Sequence, residues 1–415
     1  MCYDLITLPN GLRIVGDRID HFRSVSVGLW LGVGSQFEAP AEAGLSHFLE
    51  HMVFKGTRKR TARQIAEAMD AVGGQLNAFT AKSCTCFYAK VVDEDLRLAM
   101  DVLADLVTAP AFAPEELEKE KGVVLEEISM AGDDPEDVVA ELLMQSYFGD
   151  QPLSRPILGT AERIQGYRSE DLRRYWSRMY RPQNAVLSVC GHYDWEAVKA
   201  LAAELLGDWP AEGLEKPPCV SCAPKPRLLT REKDIEQVHI CMGFPGVPLG
   251  DVRNYEVCVF NAVYGGAMSS RLFQKIREES GMAYNVYSFS NGYSDCGMLG
   301  VYAATNPDTA CAVIDMILAE TRRLAGEGMT RREFEMAREQ WKASYIMGME
   351  STTSRMQTTG RRLLELNEIR SDDEIIANIE KIDYDSANRL MRELLTAPNA
   401  TALVGKDIER IASKL

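Results

Sequence analysis

The sequence predicts an α+β fold: two homologous α/β-roll domains, each a sheet with helices packed on one face, arising from an internal duplication. Three observations predict it. Similar segments recur in the same order at a nearly constant spacing, each copy mixes strand-like runs with long amphipathic helices, and a proline-rich span separates the copies. At 415 residues the chain is too long for one ordinary core and suits two domains of about 200 residues each.

The first element is a hairpin, because Leu8-Pro9-Asn10-Gly11-Leu12 sets an Asn-Gly turn between apolar flanks. An apolar strand follows at Val25–Leu31, and its echo is Val238–Phe244, with an offset of 213 from Val25 to Val238. The segment Leu76-Asn77-Ala78-Phe79-Thr80, after Gly73-Gly74, reads either as an edge strand or as the turn between two strands; periodicity does not decide. Next, Phe87-Tyr88-Ala89 runs into a helix over Asp95–Leu106. Its counterpart is Val301-Tyr302-Ala303 running into Thr309–Thr321, an offset of 214 between Tyr88 and Tyr302. A charged helix beginning near Pro114 matches one beginning at Arg331, with Leu117 and Phe334 offset by 217. Offsets that drift by only four residues mark two copies of one domain, expected over 1–208 and 227–415 with a linker at 209–226. Pro210, Pro217, Pro218, Pro224 and Pro226 deny the span from Gly207 to Arg227 a helix or a central strand.

Composition excludes several functions. Apolar residues make up 46% and charged residues 26%, the balance of a soluble globular protein. Lys and Arg number 46 against 61 Asp and Glu, a net charge of −15, with no basic stripe for nucleic acid. An acidic surface favours substrates that carry basic residues. Met1-Cys2-Tyr3-Asp4 has no basic run leading into an apolar stretch, so no signal peptide is expected. No apolar run approaches the ~20 residues needed to cross a bilayer. Ten irregularly spaced cysteines do not make a disulfide framework. Cys219-Val220-Ser221-Cys222 lacks a second pair at zinc-ribbon spacing and reads as reduced thiols in the linker. Cytoplasm is the expected compartment.

Chemistry concentrates at His47-Phe48-Leu49-Glu50-His51. The chain has five histidines, and two of them stand four apart with Glu50 between. Residues i and i+4 share one helix face, ~6 Å apart along the axis, so both imidazoles reach one ion. Leu45, Phe48, Leu49, Met52, Val53 and Phe54 make the segment largely buried if helical, and Gly56 supplies a stop. Such a helix needs a reason for its polar groups, and a bound cation supplies one. The competing reading is a pair of core histidines hydrogen-bonded to Glu50.

Neutral imidazoles suit Zn²⁺, and H-x-x-E-H is the inverted form of a zinc-peptidase signature in which the glutamate is the general base. A third ligand is required. The acid-rich helix from Glu115 offers Glu120, Glu126 and Glu127; Glu120 and Glu127 are seven apart, on one face with Val124. Sequence alone leaves the three open, while Glu115, Glu116 and Glu118 are solvated acids near the helix start.

At these residues the chain resembles the pitrilysin/insulinase family of zinc peptidases, in particular the short-chain branch that includes the β subunit of the mitochondrial processing peptidase and bacterial relatives. The resemblance covers nearly the whole chain and rests on five segments. They are Leu8–Leu12, Gly44–Met52, Phe54-Lys55-Gly56-Thr57, Leu76–Thr80 and Glu120-Lys121-Gly122-Val123-Val124-Leu125-Glu126-Glu127. It implies that His47, His51 and Glu127 bind one zinc per chain, that Glu50 is the base, and that Glu120 orients the site. It also implies that Asn77, Ala78 and Phe79 form an edge strand to which substrate adds through its backbone.

In the second copy, Gly265-Gly266-Ala267-Met268-Ser269-Ser270-Arg271-Leu272-Phe273 leads to Arg277 and Tyr284, which match a family arginine and tyrosine that contact substrate. A guanidinium and a phenol are suitable donors to a tetrahedral oxyanion. Ala267 departs from a glycine common in relatives. Phe260 stands opposite His47 at the 213 offset, so the second copy has no metal motif. The family's closed chamber holds four such domains, so the resemblance implies a homodimer or pairing with a related subunit. The expected activity is hydrolysis of extended peptides by a zinc metalloendopeptidase. The alternatives are a non-catalytic structural subunit, which the intact motif disfavours, and a zinc hydrolase of small molecules.

Overall fold

The computed structural model describes residues 3–217 and 222–414. Unit 1 of the fold comprises Met1–Ile128, Pro156–Cys219 and Ile346–Asp372. Unit 2 comprises Ser129–Arg155, Val220–Tyr345 and Asp373–Leu415.

Unit 1 is built on a six-stranded sheet of β1 (Asp4–Thr7), β2 (Arg13–Arg18), β3 (Ser24–Leu31), β4 (Gln75–Thr80), β5 (Thr85–Val92) and β6 (Ala185–Gly191). Their spatial order is β1-β2-β6-β3-β5-β4. Unit 2 holds β7 (Leu228–Glu232), β8 (Val238–Gly246), β9 (Ala283–Gly292), β10 (Gly297–Thr305) and β11 (Ala400–Gly405), in the order β7-β11-β8-β10-β9. Five strands of the first sheet therefore match the second strand for strand. Even direction is repeated: β2 runs parallel to β6 and β7 to β11, and the remaining pairs are antiparallel. The duplication read in the sequence is a duplication of fold.

The local signals act as expected. Leu8–Leu12 turns β1 into β2, with Thr7 opposite Arg13 and Gly11 at a φ of 93° that an L side chain rarely adopts. The segment left open at Leu76–Thr80 lies in β4, an edge strand paired only with β5. Between Gly207 and Arg227 the described residues form neither helix nor strand. Cys219 of the Cys-x-x-Cys pair and Pro218 lie outside the described residues. Cys84, Cys86, Cys190, Cys241, Cys258 and Cys311 are free thiols. Among the described residues, no helix is long and apolar enough to cross a membrane.

Where the sequence repeat marks 1–208 and 227–415, the compact units are discontinuous, and each takes in one helix from beyond its repeat. The reason lies in β3, whose residues are buried on both faces. Val25, Val27, Leu29 and Leu31 enter the main core, whereas Trp30 belongs to a second apolar cluster with Val15, Cys86, Val186, Met356 and Leu363. That second face is covered by the helix Thr352–Leu366, so helices lie on both sides of the sheet. In unit 2 the helix Pro135–Phe148 does the same, with Val138, Val139 and Tyr147 packed among Cys241, Tyr302 and Val404.

Close approach and a buried ion pair seat the unit 1 helix. A Cβ on Gly360 would stand 2.2 Å from the Trp30 indole nitrogen, so glycine is needed at that contact. Arg355, buried to 5% exposure, donates to Asp17 Oδ2 at 2.6 Å and to Asp372 Oδ2 at 2.8 Å. Removing one partner of such a pair leaves a charge in the core without compensation. Arg355→Met should lower the unfolding free energy by about 3–5 kcal/mol. Urea denaturation followed by circular dichroism checks this, and an unchanged midpoint would contradict the anchoring role.

Candidate metal centre

The helix Leu45–Val53 carries the motif. Leu45, Phe48, Leu49, Met52 and Val53 bury its apolar face, so the histidines are held by core packing rather than by a loop. Its N-cap is Gly44, at a φ of 86°, which offers no side chain to the first turn. Glu38 replaces the missing cap from outside the helix: its two carboxylate oxygens accept from Gly44 N at 2.9 Å and Ser46 N at 2.7 Å. Ser46 Oγ also pairs with Tyr175 OH at 2.9 Å.

Three candidate ligand atoms converge. His47 Nε2 is 3.6 Å and His51 Nε2 3.4 Å from Glu127 Oε2, and the three donor atoms lie within 4.8 Å of one another. That oxygen is buried and has no hydrogen-bond partner, a cost that a cation between the three groups removes. Two imidazoles and one carboxylate are the donor set of a catalytic zinc site. Of the candidates left open by sequence, Glu126 is exposed, and Glu120 is directed elsewhere. Glu120 is buried, with Oε1 2.9 Å from His51 Nδ1 and Oε2 2.7 Å from Lys55 Nζ. The helix Pro114–Asp133 supplies both acids from one face, with Leu117 and Val124 anchoring it in the core.

Electrostatics divides the two histidines. Burial, assisted by the neighbouring His51, pushes His47 down to about 4, so its imidazole is neutral and has a lone pair to donate. Burial also opposes charge on His51, but hydrogen bonding to Glu120 and the nearby carboxylates outweigh it and raise its pKa. Burial pushes Glu120 up, while its bonds to His51 and Lys55 more than offset this and hold it below the usual carboxylate range.

Glu50 points beside the cluster and is not one of its three donors. Its Oε2 accepts a hydrogen bond from Thr80 Oγ1, at the end of β4. Burial raises its pKa, and the Thr80 bond acts in the opposite direction. Asn77, Ala78 and Phe79 stand on the same strand, where Ala78 N donates to Asn77 Oδ1 at 2.8 Å instead of to another strand. Within unit 2, Arg277 and Tyr284 lie against each other, the guanidinium carbon 4.4 Å from the phenol ring centroid. Tyr284 is 77% exposed at the start of β9, and Arg277 also stacks on Phe273 at 4.8 Å.

Sequence reasoning missed three contributors. Lys55 could have been found, since it stands four residues after His51. Thr80 reads in the sequence only as part of an edge strand or a turn, and its hydroxyl donates to Glu50. Glu38 had no local signal beyond an acid upstream of an uncapped helix start.

Comparison with known proteins agrees in both fold and extent. A family model described as insulinase (peptidase family M16) matches residues 14–161, and one described as peptidase M16 inactive domain matches 167–341. An uncharacterized zinc protease of Bacillus subtilis, YmxG, is 42% identical over 402 residues, covering 96% of this chain and 97% of its own. An uncharacterized zinc protease of Streptomyces coelicolor is 38% identical over 421 residues, covering 99% and 91%. A crystal structure of a protease from Helicobacter pylori superposes with a TM-score of 0.90 at 20% identity, covering 97% of this chain and 99% of that one. The last likeness concerns fold alone.

The cap gives a prediction of its own. Glu38→Ala strands two buried backbone donors and should cost about 1–3 kcal/mol of stability. Burial moves the Glu38 carboxyl up to about 7 from 4.5. A raised pKa means its contribution is fully present below about 4.5 and is lost as pH rises through about 7. The stability of the wild type relative to Glu38→Gln should therefore fall across that interval. Thermal melts from pH 4 to 8 test both statements, and a difference independent of pH would refute the second.

Proposed function

Given that this chain belongs to the insulinase family, peptidase family M16, we propose that it is a zinc metalloendopeptidase hydrolysing extended peptides. The observation that carries this reading is the convergence of His47 Nε2, His51 Nε2 and Glu127 Oε2 beside a carboxylate, Glu50, that stays outside the donor set. His47, His51 and Glu127 would hold the zinc, which would supply the Lewis acidity that makes water a competent nucleophile near neutral pH. Glu50 takes the proton of the attacking water and hands it to the leaving amine, and Thr80 fixes the carboxylate for that task. Glu120 holds His51 through Nδ1, leaving Nε2 to face the site.

The peptide joins the open edge of β4 at Asn77, Ala78 and Phe79, where the Ala78 N–H exchanges its bond with Asn77 for one with the substrate backbone. Backbone recognition of this kind gives broad selectivity. Arg277 and Tyr284 act as donors to the substrate carbonyl, supplied by the partner chain of a homodimer or by a related subunit, around a closed chamber. Reduced cysteines are consistent with a cytoplasmic enzyme.

Two paired substitutions separate base from ligand. Glu50→Gln should retain one zinc per chain and lose activity on a quenched peptide by about 10²–10⁴-fold. Glu127→Gln should lose zinc and activity together. Metal loss in a folded Glu50→Gln protein, or full zinc in Glu127→Gln, overturns the assignment.

The donor pair has a separate test. Replacing Tyr284 with Phe should cost about 10²–10³-fold in rate, the usual worth of an oxyanion donor. If the donors come from the partner, mixing Glu50→Gln and Tyr284→Phe chains should restore activity, because a mixed dimer holds one intact site. No recovery between chains shown to exchange means that the donors work within one chain or have no catalytic role.

A further inference from the structure

The segment Lys55-Gly56-Thr57-Arg58-Lys59-Arg60-Thr61-Ala62-Arg63 packs five cations into an otherwise acidic chain. Most of them are committed locally. Arg60 binds Asp101 and Asp105, Lys59 stands 3.7 Å from Asp101, and Arg63 pairs with Glu67 on its own helix. Lys55 turns the other way. It follows the motif helix, with Lys55 N donating to Met52 O at 3.2 Å, and Gly56 at a φ of 129° carries the chain off directly after it. Its ammonium lies 2.7 Å from Glu120 Oε2.

Glu120 is 3% exposed, and among the described residues its ion-pair partners are Lys55 and His51. Its two oxygens therefore have separate tasks. Oε1 meets His51 Nδ1 at 2.9 Å, and Oε2 is anchored by Lys55. A carboxylate bonded at one oxygen pivots about its last torsion. One bonded at both cannot turn without breaking a charge-assisted bond in a buried setting. The orientation of the His51 ring thus depends on a group two contacts away.

We propose that Lys55 is a positioning residue for the metal centre: it locks the Glu120 carboxylate, which in turn aims His51 Nε2 at the convergence point with His47 and Glu127. The proposal rests on the zinc reading above, and it assigns a role to a residue that touches neither metal nor substrate. Groups that orient a ligand in this way typically contribute about 10–100-fold to metal affinity.

The test measures zinc affinity of the full chain by competition with a chromophoric chelator, alongside thermal melts of metal-free protein. Lys55→Met should bind zinc about 10–100-fold more weakly at a temperature where the melts show its metal-free form to be folded. Lys55→Arg, which keeps a cation within reach of Oε2, should recover most of the affinity. The double variant Lys55→Met/Glu120→Gln should bind no more weakly than Glu120→Gln alone, since both act through one path. Wild-type affinity in Lys55→Met, or losses that simply add in the double variant, overturns the proposal. If Lys55→Met does not fold, Lys55→Gln takes its place, with the same expected loss of zinc affinity and the same overturning result. His47→Ala serves as the control for the underlying reading: if it binds zinc as the wild type does, the metal centre itself is misassigned, and that result is distinct from a failure of Lys55 alone.

Discussion

Everything at the centre of unit 1 follows from putting two imidazoles on a nine-residue helix that is otherwise core. His47 and His51 need the helix rigid, because a shift of one residue would turn them away from each other. Rigidity comes from Leu45, Phe48, Leu49, Met52 and Val53, all buried to 2% exposure or less. The same burial makes the polar groups costly unless they are paired. The acid helix meets that demand with Glu127 facing both Nε2 atoms and Glu120 fixing Nδ1 of His51.

This arrangement extends outward in layers that each depend on the one inside. Lys55 answers the charge of Glu120, Thr80 answers Glu50, and Glu38 caps the first turn that Gly44 leaves open. Thr80 also links the proposed chemistry to the proposed recognition, because it ends β4, the edge strand that we propose a peptide joins. A change at the edge strand therefore reaches the proposed base through a single hydrogen bond.

The duplication bears on the site, because among the described residues one such cluster is found, in unit 1. Both units keep the same five-strand order and the same single parallel pairing, so the scaffold was copied whole. The second copy has Phe260 where the first has His47, and Phe260 is fully buried in its core. That copy presents an arginine stacked on an exposed tyrosine at the head of its own edge strand, β9. The two edges, β4 and β9, occupy equivalent positions in their sheets.

The sequence by itself determined the duplicated α+β fold, the hairpin at Leu8–Leu12 and the histidine pair with its glutamate. These are set by contacts within one helix turn, one tight turn or one repeat, and such short-range patterns are written directly in residue order. It narrowed the third ligand to three acids and stopped there, because helix periodicity gives a shared face without saying what that face meets. Only the tertiary structure separated Glu127, turned to the imidazoles, from Glu120, turned to His51 Nδ1 and Lys55, and from the exposed Glu126. It alone showed helices Pro135–Phe148 and Thr352–Leu366 covering the second faces of the sheets. A helix with an apolar stripe carries no record of which sheet it will cover, since burial of apolar surface is non-directional. The choice of partner was made by shape at Gly360 against Trp30 and by charge at Arg355 against Asp17, contacts that join residues more than three hundred positions apart.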